Sequence, residues 1–162
     1  MNEYWMSSMR NRFTNKSHVV NQYQFFSWKS GVVVPESTKS LITLTDAVLL
    51  ANNPKNNDNN NGPENINCSK YNGKFSSPSS SSSPILVHCS GGGDRSSVFV
   101  SFASLVRQLQ LEERVDVFQT ARYTKSQRQC MLQTIAQYDF LYRCLIDYMD
   151  CHHICNNSDT QL

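Results

Sequence analysis

Residues 87–97, VHCSGGGDRSS, constrain what this chain can fold into more than any other stretch. Cys89 and Arg95 have five residues between them, three of which are the consecutive glycines Gly91, Gly92 and Gly93. A run with strand propensity, residues 84–87, leads in, and a helical pattern leads out from Ser96. Strand, glycine-rich loop and helix start make an anion cradle: successive backbone N–H groups converge on one point and the helix dipole favours negative charge there. A cysteine in such a cradle is expected as a thiolate near neutral pH, because the field that holds phosphate also stabilises a sulfur anion. Arg95 adds a planar fork for phosphate oxygens. The chemistry implied is attack by Cys89 on a phosphate ester through a cysteinyl-phosphate intermediate, which needs no cofactor and no metal.

The rest of the chain divides around that loop. Residues 9–13 and 19–26 read as two strands about a turn containing Thr14, Asn15, Lys16 and Ser17. Residues 37–50 read as a helix with Leu41, Leu44, Val48 and Leu49 on one side. From 52 to 83 the chain becomes rich in Asn, Ser and Pro, a composition that buries too little apolar surface to offset the entropy of ordering, so a disordered insertion is expected there. Beyond the loop, Val98, Phe102, Leu105, Val106 and Leu109 follow helical spacing, with Val100 and Ala103 widening the stripe. Asp116 is placed to cap a short helix through Val117, Phe118 and Ala121. Thr134 followed three residues later by Gln137 is a capping-box pattern opening a helix that carries Ile135, Tyr138, Leu141, Leu145 and Tyr148. The organisation expected is therefore one domain: strands, a loop and a helix over 1–51, the insertion over 52–83, the phosphate-binding loop and later helices over 84–150, and a tail over 151–162.

With 162 residues the chain can build one core. A net charge of +2 argues against nucleic acid as a partner. No run is long and apolar enough to cross a bilayer. Six cysteines, at 68, 89, 130, 144, 151 and 155, are spread without a disulfide pattern. A nucleophilic thiolate needs a reducing compartment, so a cytoplasmic location is expected. Cys151-His152-His153-Ile154-Cys155 contains metal-capable groups, but with no further ligands nearby it is read as a tail.

HCSGGGDRSS resembles the signature loop of the tyrosine-specific protein phosphatases, HCxxGxxR[ST]G. Upstream, Gln22 to Trp28 followed by Val34-Pro35-Glu36-Ser37 resembles the strand and movable acid loop of that family. Downstream, residues 115–120, Met131-Leu132-Gln133-Thr134 and residues 136–142 resemble its last helices and glutamine loop. The likeness is to the C-terminal portion of the family's domain, and most to the membrane-distal domain of receptor-type enzymes, with no counterpart of the family's N-terminal part before Trp28. The resemblance implies an α/β fold, a twisted mixed sheet flanked by helices. It implies a phosphotyrosine protein or peptide as substrate, and a second phosphatase domain of the same receptor as a possible partner. On this resemblance the chain belongs to the intracellular part of a membrane receptor.

The same resemblance assigns roles. Cys89 is the nucleophile, Arg95 binds the phosphoryl oxygens, and Ser96 supplies a hydroxyl to the thiolate and to the second step. His88, Ser90, Gly91, Gly92, Gly93 and Asp94 form the loop around the phosphate. Gln133 positions the hydrolytic water, with Gln137 supporting it. Departures matter as much. Where the family has Trp-Pro-Asp, this chain has Trp28-Lys29-Ser30, so the aspartate that protonates the departing tyrosyl oxygen is a serine. Glu36 could replace it only with an unusual loop shape. Asp94 and Ser97 replace usual glycines, Asp94 with a carboxylate able to compete for Arg95. Gln129-Cys130 stand where Pro-Gly is common. Two readings therefore stay open: a weak phosphotyrosine phosphatase, or a phosphatase-like module that binds phosphotyrosine or a partner domain without turnover.

Overall fold

The computed structural model describes residues 2–52, 84–152 and 154, with side chains from residue 7 onward. The expected insertion over 52–83 lies outside the described residues except for Asn52, as do His153 and Cys155 of the tail. Six elements follow in order: β1 (Asn2–Arg10), β2 (Ser17–Phe25), α1 (Lys39–Ala51), α2 (Asp94–Glu112), α3 (Val117–Gln127) and α4 (Ile135–Cys151). The α/β expectation holds, with a sheet that is smaller than the mixed one expected. Among the described residues it is a single antiparallel pair, β1 with β2, in the register Asn2↔Phe25 to Arg10↔Ser17.

The first strand was misplaced by the sequence reading. It ends at Arg10, and Phe13 sits fully exposed in the turn. The reason is local: the Asn11 side chain accepts from the N–H groups of Phe13 and Thr14 at 2.9 and 3.1 Å. Asn15 takes the left-handed conformation, φ 57°, that asparagine tolerates. This asparagine chemistry closes the hairpin early, and the pairing then extends β1 backward. Residues 84–89 form no strand either. Strand propensity without a neighbouring strand to supply ladder bonds leaves extended chain, and Leu86 is 89% exposed.

The core is built on α2. Val98, Phe102, Leu105 and Val106 are fully buried on one side of it, packing with Leu41, Ile42 and Leu49 of α1 and Phe140, Leu141, Cys144, Leu145 and Tyr148 of α4. Phe102 meets Tyr148 edge-on at 6.1 Å, and the Tyr148 hydroxyl accepts from Gln110 Nε2 at 3.0 Å, so the ring's polar tip is satisfied inside the core. Ser101 donates to Thr124 at 3.1 Å, joining α2 to α3 through a buried hydroxyl pair. His152, at the end of α4, places Nε2 3.3 Å from Asp46 Oδ2 of α1 with both side chains buried. Ile135 was expected on the buried stripe of α4 but is 87% exposed; the inward face runs through Gln137, Phe140, Leu141, Cys144, Leu145 and Tyr148. Ile135 is the first residue of the helix, where the chain still turns toward solvent.

Both predicted caps form. Asp116 accepts from the Gln119 N–H at 2.9 Å to start α3. At α4 the capping box is complete, with Gln137 N–H to Thr134 Oγ1 at 3.2 Å and Thr134 N–H to Gln137 Oε1 at 3.3 Å. Loss of an N-cap hydroxyl costs about 1 kcal/mol, whereas truncating a buried phenylalanine costs about 3–5 kcal/mol. In urea unfolding, Thr134→Ala should lower stability by about 1 kcal/mol and Phe102→Ala by about 3–5 kcal/mol. Equal effects would mean that α2 is not the core element.

Candidate active site

The loop between residue 89 and the start of α2 folds around the Cys89 sulfur. Burial by itself pushes this thiol up. It is outweighed by the Ser96 hydroxyl and by the backbone N–H groups of Ser96, Gly92 and Arg95, so the thiol lies below its ordinary value. The Ser96 hydroxyl is buried, without a hydrogen-bond partner among the described residues, and its influence on Cys89 favours the thiolate. Gly92 permits the turn, with φ +68°, a region that side chains other than glycine adopt only under strain. Cys144 supplies the contrast. It is fully buried on α4 without such donors, and burial, aided by the charge of Asp147, pushes it up to about 12. Two thiols of one chain are thus sent in opposite directions by what surrounds them.

Three segments close around this loop. From the upstream side comes the segment at Trp28, which is buried, stands edge-on to Phe25 at 6.5 Å and donates through Nε1 to the Val32 carbonyl at 2.9 Å. That anchor presents the Lys29 carbonyl to Arg95, whose Nη2 donates to it at 3.4 Å. Ser30 is exposed. Lys29 Nζ pairs with Glu36 at 2.8 Å across the exposed loop. The hydrogen bond and charge of Lys29 hold the Glu36 carboxyl below the usual carboxylate range.

From the downstream side come the end of α3 and the residues before α4. Arg128, which the sequence reading passed over, donates to the Gly92 carbonyl at 3.1 Å and to the Gly91 carbonyl at 3.4 Å. It thereby braces the glycine loop from outside. A Cβ at Gly92 would stand 2.7 Å from Arg128 Nη1, and one at Gly93 would stand 2.9 Å from the Cys130 carbonyl oxygen. The glycines are therefore needed for close approach as well as for the turn. Cys130 itself has φ +68°, a conformation that glycine takes freely, so its replacement of the usual glycine is less mild than it looked. The only sequence signal for Arg128 was a lone basic residue at a helix end, which by itself is common.

Asp94 does not compete for Arg95. Its carboxylate accepts from the Gln137 side-chain amide, a direct bond between the starts of α2 and α4. Gln137 is buried, its side-chain nitrogen donating to Asp94 and its side-chain oxygen accepting from the Thr134 N–H. Gln133 is exposed, and its side chain makes no hydrogen bond among the described residues. His88 is likewise exposed and does not orient the loop through any hydrogen bond among the described residues. Ser90 and Gly91 are exposed at the loop's rim. Among the described residues no group of three metal-ligating side chains gathers, at the tail or elsewhere.

The thiolate is directly testable. Alkylation of Cys89 by iodoacetamide, followed by peptide mapping, should rise with pH through a midpoint below that of an ordinary thiol. Ser96→Ala should move that midpoint upward, because a donor to the anion is lost. Cys144 should stay unreacted in the folded protein. An ordinary midpoint for Cys89, unmoved by Ser96→Ala, would contradict the cradle.

Comparison with known proteins agrees with this geometry. The family described as Protein-tyrosine phosphatase matches residues 2–147. The chain is 38% identical over 140 residues to Tyrosine-protein phosphatase 69D of Drosophila melanogaster, covering 86% of this chain and 8% of that protein. It is 33% identical over 130 residues to a Receptor-type tyrosine-protein phosphatase of Caenorhabditis elegans, covering 80% of this chain and 8% of that one. It is 29% identical over 136 residues to Receptor-type tyrosine-protein phosphatase alpha of Homo sapiens, covering 84% of this chain and 14% of that one. The chain thus spans a small part of the length of these relatives. A match over nearly every described element, centred on a loop that lowers the pKa of its own cysteine, places this chain in the protein-tyrosine phosphatase family.

Proposed function

We propose that the chain hydrolyses phosphotyrosine through a cysteinyl-phosphate, and slowly. The observation that carries this reading is the placement of Cys89 and Arg95 at the two ends of a glycine loop that opens α2, braced by Arg128 on the Gly91 and Gly92 carbonyls, with the Cys89 thiol shifted below its ordinary value. In the first step the Cys89 thiolate attacks phosphorus, the bond to the tyrosyl oxygen breaks, and the phenolate leaves. Arg95 and the loop amides hold the phosphoryl oxygens as charge builds on them. In the second step water, positioned by Gln133, attacks the cysteinyl-phosphate. The sulfur–phosphorus bond breaks, the thiolate is restored and inorganic phosphate departs.

What slows the reaction is the first departure. A phenol has a pKa near roughly 10, so its phenolate leaves readily only if protonated as it goes. Ser30, at the position of the family's acid, cannot hold a dissociable proton for that purpose near neutral pH. Pairing with Lys29 favours the ionised form of Glu36, which makes it a poorer proton donor. Loss of a general acid costs about 10²- to 10⁴-fold in rate. A second reading, binding of phosphotyrosine or of a partner phosphatase domain without turnover, is favoured by the same serine. It is also favoured by the Arg95 bond to the Lys29 carbonyl, which occupies part of the phosphate fork. The receptor-type relatives support placing the chain in the cytoplasmic part of such a receptor.

Activated aryl phosphates, whose phenols need little protonation, should be hydrolysed measurably. Phosphotyrosine peptides should be cleaved far more slowly, and Cys89→Ser should abolish both activities. Ser30→Asp should raise phosphotyrosine turnover by at least about tenfold while changing the activated substrate little. Fast phosphotyrosine hydrolysis that ignores the Ser30 substitution would mean that another group supplies the proton. Vanadate binding with no release of any phenol would favour the binding module instead.

A further inference from the structure

Two positions in the first turn of α2 depart from the glycines of the family signature, Asp94 and Ser97, and both reach the segment that carries Gln133. Ser97 is fully buried. Its hydroxyl donates to the Asp94 carbonyl at 2.6 Å and accepts from the Leu132 N–H at 3.1 Å. Leu132 is buried and has φ +48°, a left-handed conformation that a leucine keeps only when its surroundings over-determine it. The other side of the same residue is also held, because the Leu132 carbonyl accepts from Lys125 Nζ at 3.1 Å. On the far side of Gln133, Asp94 holds Gln137. Gln133 is therefore the exposed, uncommitted side chain between two tied points, and both ties come from the turn that closes the phosphate cradle. A glycine at 97 has no hydroxyl and could make neither Ser97 bond.

We propose that Ser97 is a positioning residue for the second chemical step: by holding the Leu132 peptide, it fixes the direction in which Gln133 leaves the backbone and meets the hydrolytic water. The inference rests on the phosphatase reading above. The role is distinct from that of Ser96, which faces the sulfur. Ser97 faces away from it, and its effect on chemistry passes through the glutamine loop. Formation of the cysteinyl-phosphate depends on Cys89, Arg95 and the loop amides; Ser97's hydroxyl meets that set only at the Asp94 carbonyl, on the peptide that carries the Arg95 N–H, while its bond to Leu132 bears on the second step. The Lys125 bond to the Leu132 carbonyl lies apart from the loop, so its loss should separate the two steps.

The test uses the 162-residue chain, with Ser97→Ala and, as a second variant at an exposed position, Lys125→Ala. Rapid-quench kinetics on an activated aryl phosphate resolve the initial burst of phenol from steady-state turnover. Amide hydrogen exchange reads Leu132 and Gln133 directly. In Lys125→Ala the burst rate and kcat/KM should stay near the parent value, and in Ser97→Ala the burst should fall less than the steady state. Steady-state kcat should fall about tenfold, cysteinyl-phosphate should accumulate on Cys89, and exchange at Leu132 and Gln133 should quicken. Equal loss of burst and steady state in a folded variant, or unchanged exchange at Leu132, would overturn the proposal. If Ser97→Ala does not fold, Lys125→Ala decides by the same two readings. If the parent itself gives no burst, the turnover reading fails, and exchange at Leu132 and Gln133 alone decides whether Ser97 holds the loop.

Discussion

Everything at this site depends on favouring the thiolate of one partly buried cysteine. Burial opposes the charge, and only donors already aimed at the sulfur can reverse that preference. Here the donors are backbone amides from a loop of glycines and the first turn of α2, with one serine hydroxyl. Such donors need no side-chain reorganisation, but they must be held by something rigid. The rigidity comes from α2, whose inward face is fully buried against α1 and α4, and from Arg128, which grips the loop's carbonyls from outside. The core and the site are thus one mechanical unit: the helix that fills the centre is also the helix whose start presents the amides.

The upstream loop shows how local charge decides chemistry that spacing leaves open. Glu36 is the nearest acidic residue in sequence to the vacant acid position, and by its residue type alone it could stand in. Lys29, which replaces a proline, pairs with it and stabilises its ionised form. The residue at the proline position therefore also makes the nearest carboxyl a poorer proton donor. Meanwhile the Lys29 carbonyl meets Arg95, so the loop lies against the cradle even without an acid to deliver.

Two glycine replacements that looked damaging in the sequence take on a different meaning in three dimensions. Asp94 was read as a rival for Arg95. Its carboxylate instead takes the Gln137 amide. Ser97 was read only as the replacement of a usual glycine, yet its hydroxyl joins the turn of α2 to a leucine in a left-handed conformation. Neither outcome could be read from residue type, because each depends on which backbone atom a distant loop brings within 3 Å or so.

By itself the sequence determined what depends on neighbours along the chain. Cys89, the glycines and Arg95 lie close together in sequence, and their chemistry is legible as a cradle because loop and helix start are local structures. The caps at Asp116 and Thr134 and the apolar stripe of α2 were legible for the same reason, since a cap spans three residues and a helix face repeats every few. Tertiary structure decided the rest. It moved the expected turn toward the N-terminus and lengthened β1, left residues 84–89 without a ladder, and turned Ile135 outward. It brought Arg128 onto Gly91 and Gly92, His152 onto Asp46, and Ser97 onto Leu132. Each of these joins residues 35 or more positions apart. Such a pairing leaves no local periodicity or spacing to read, and only the packing of the helices around α2 creates it.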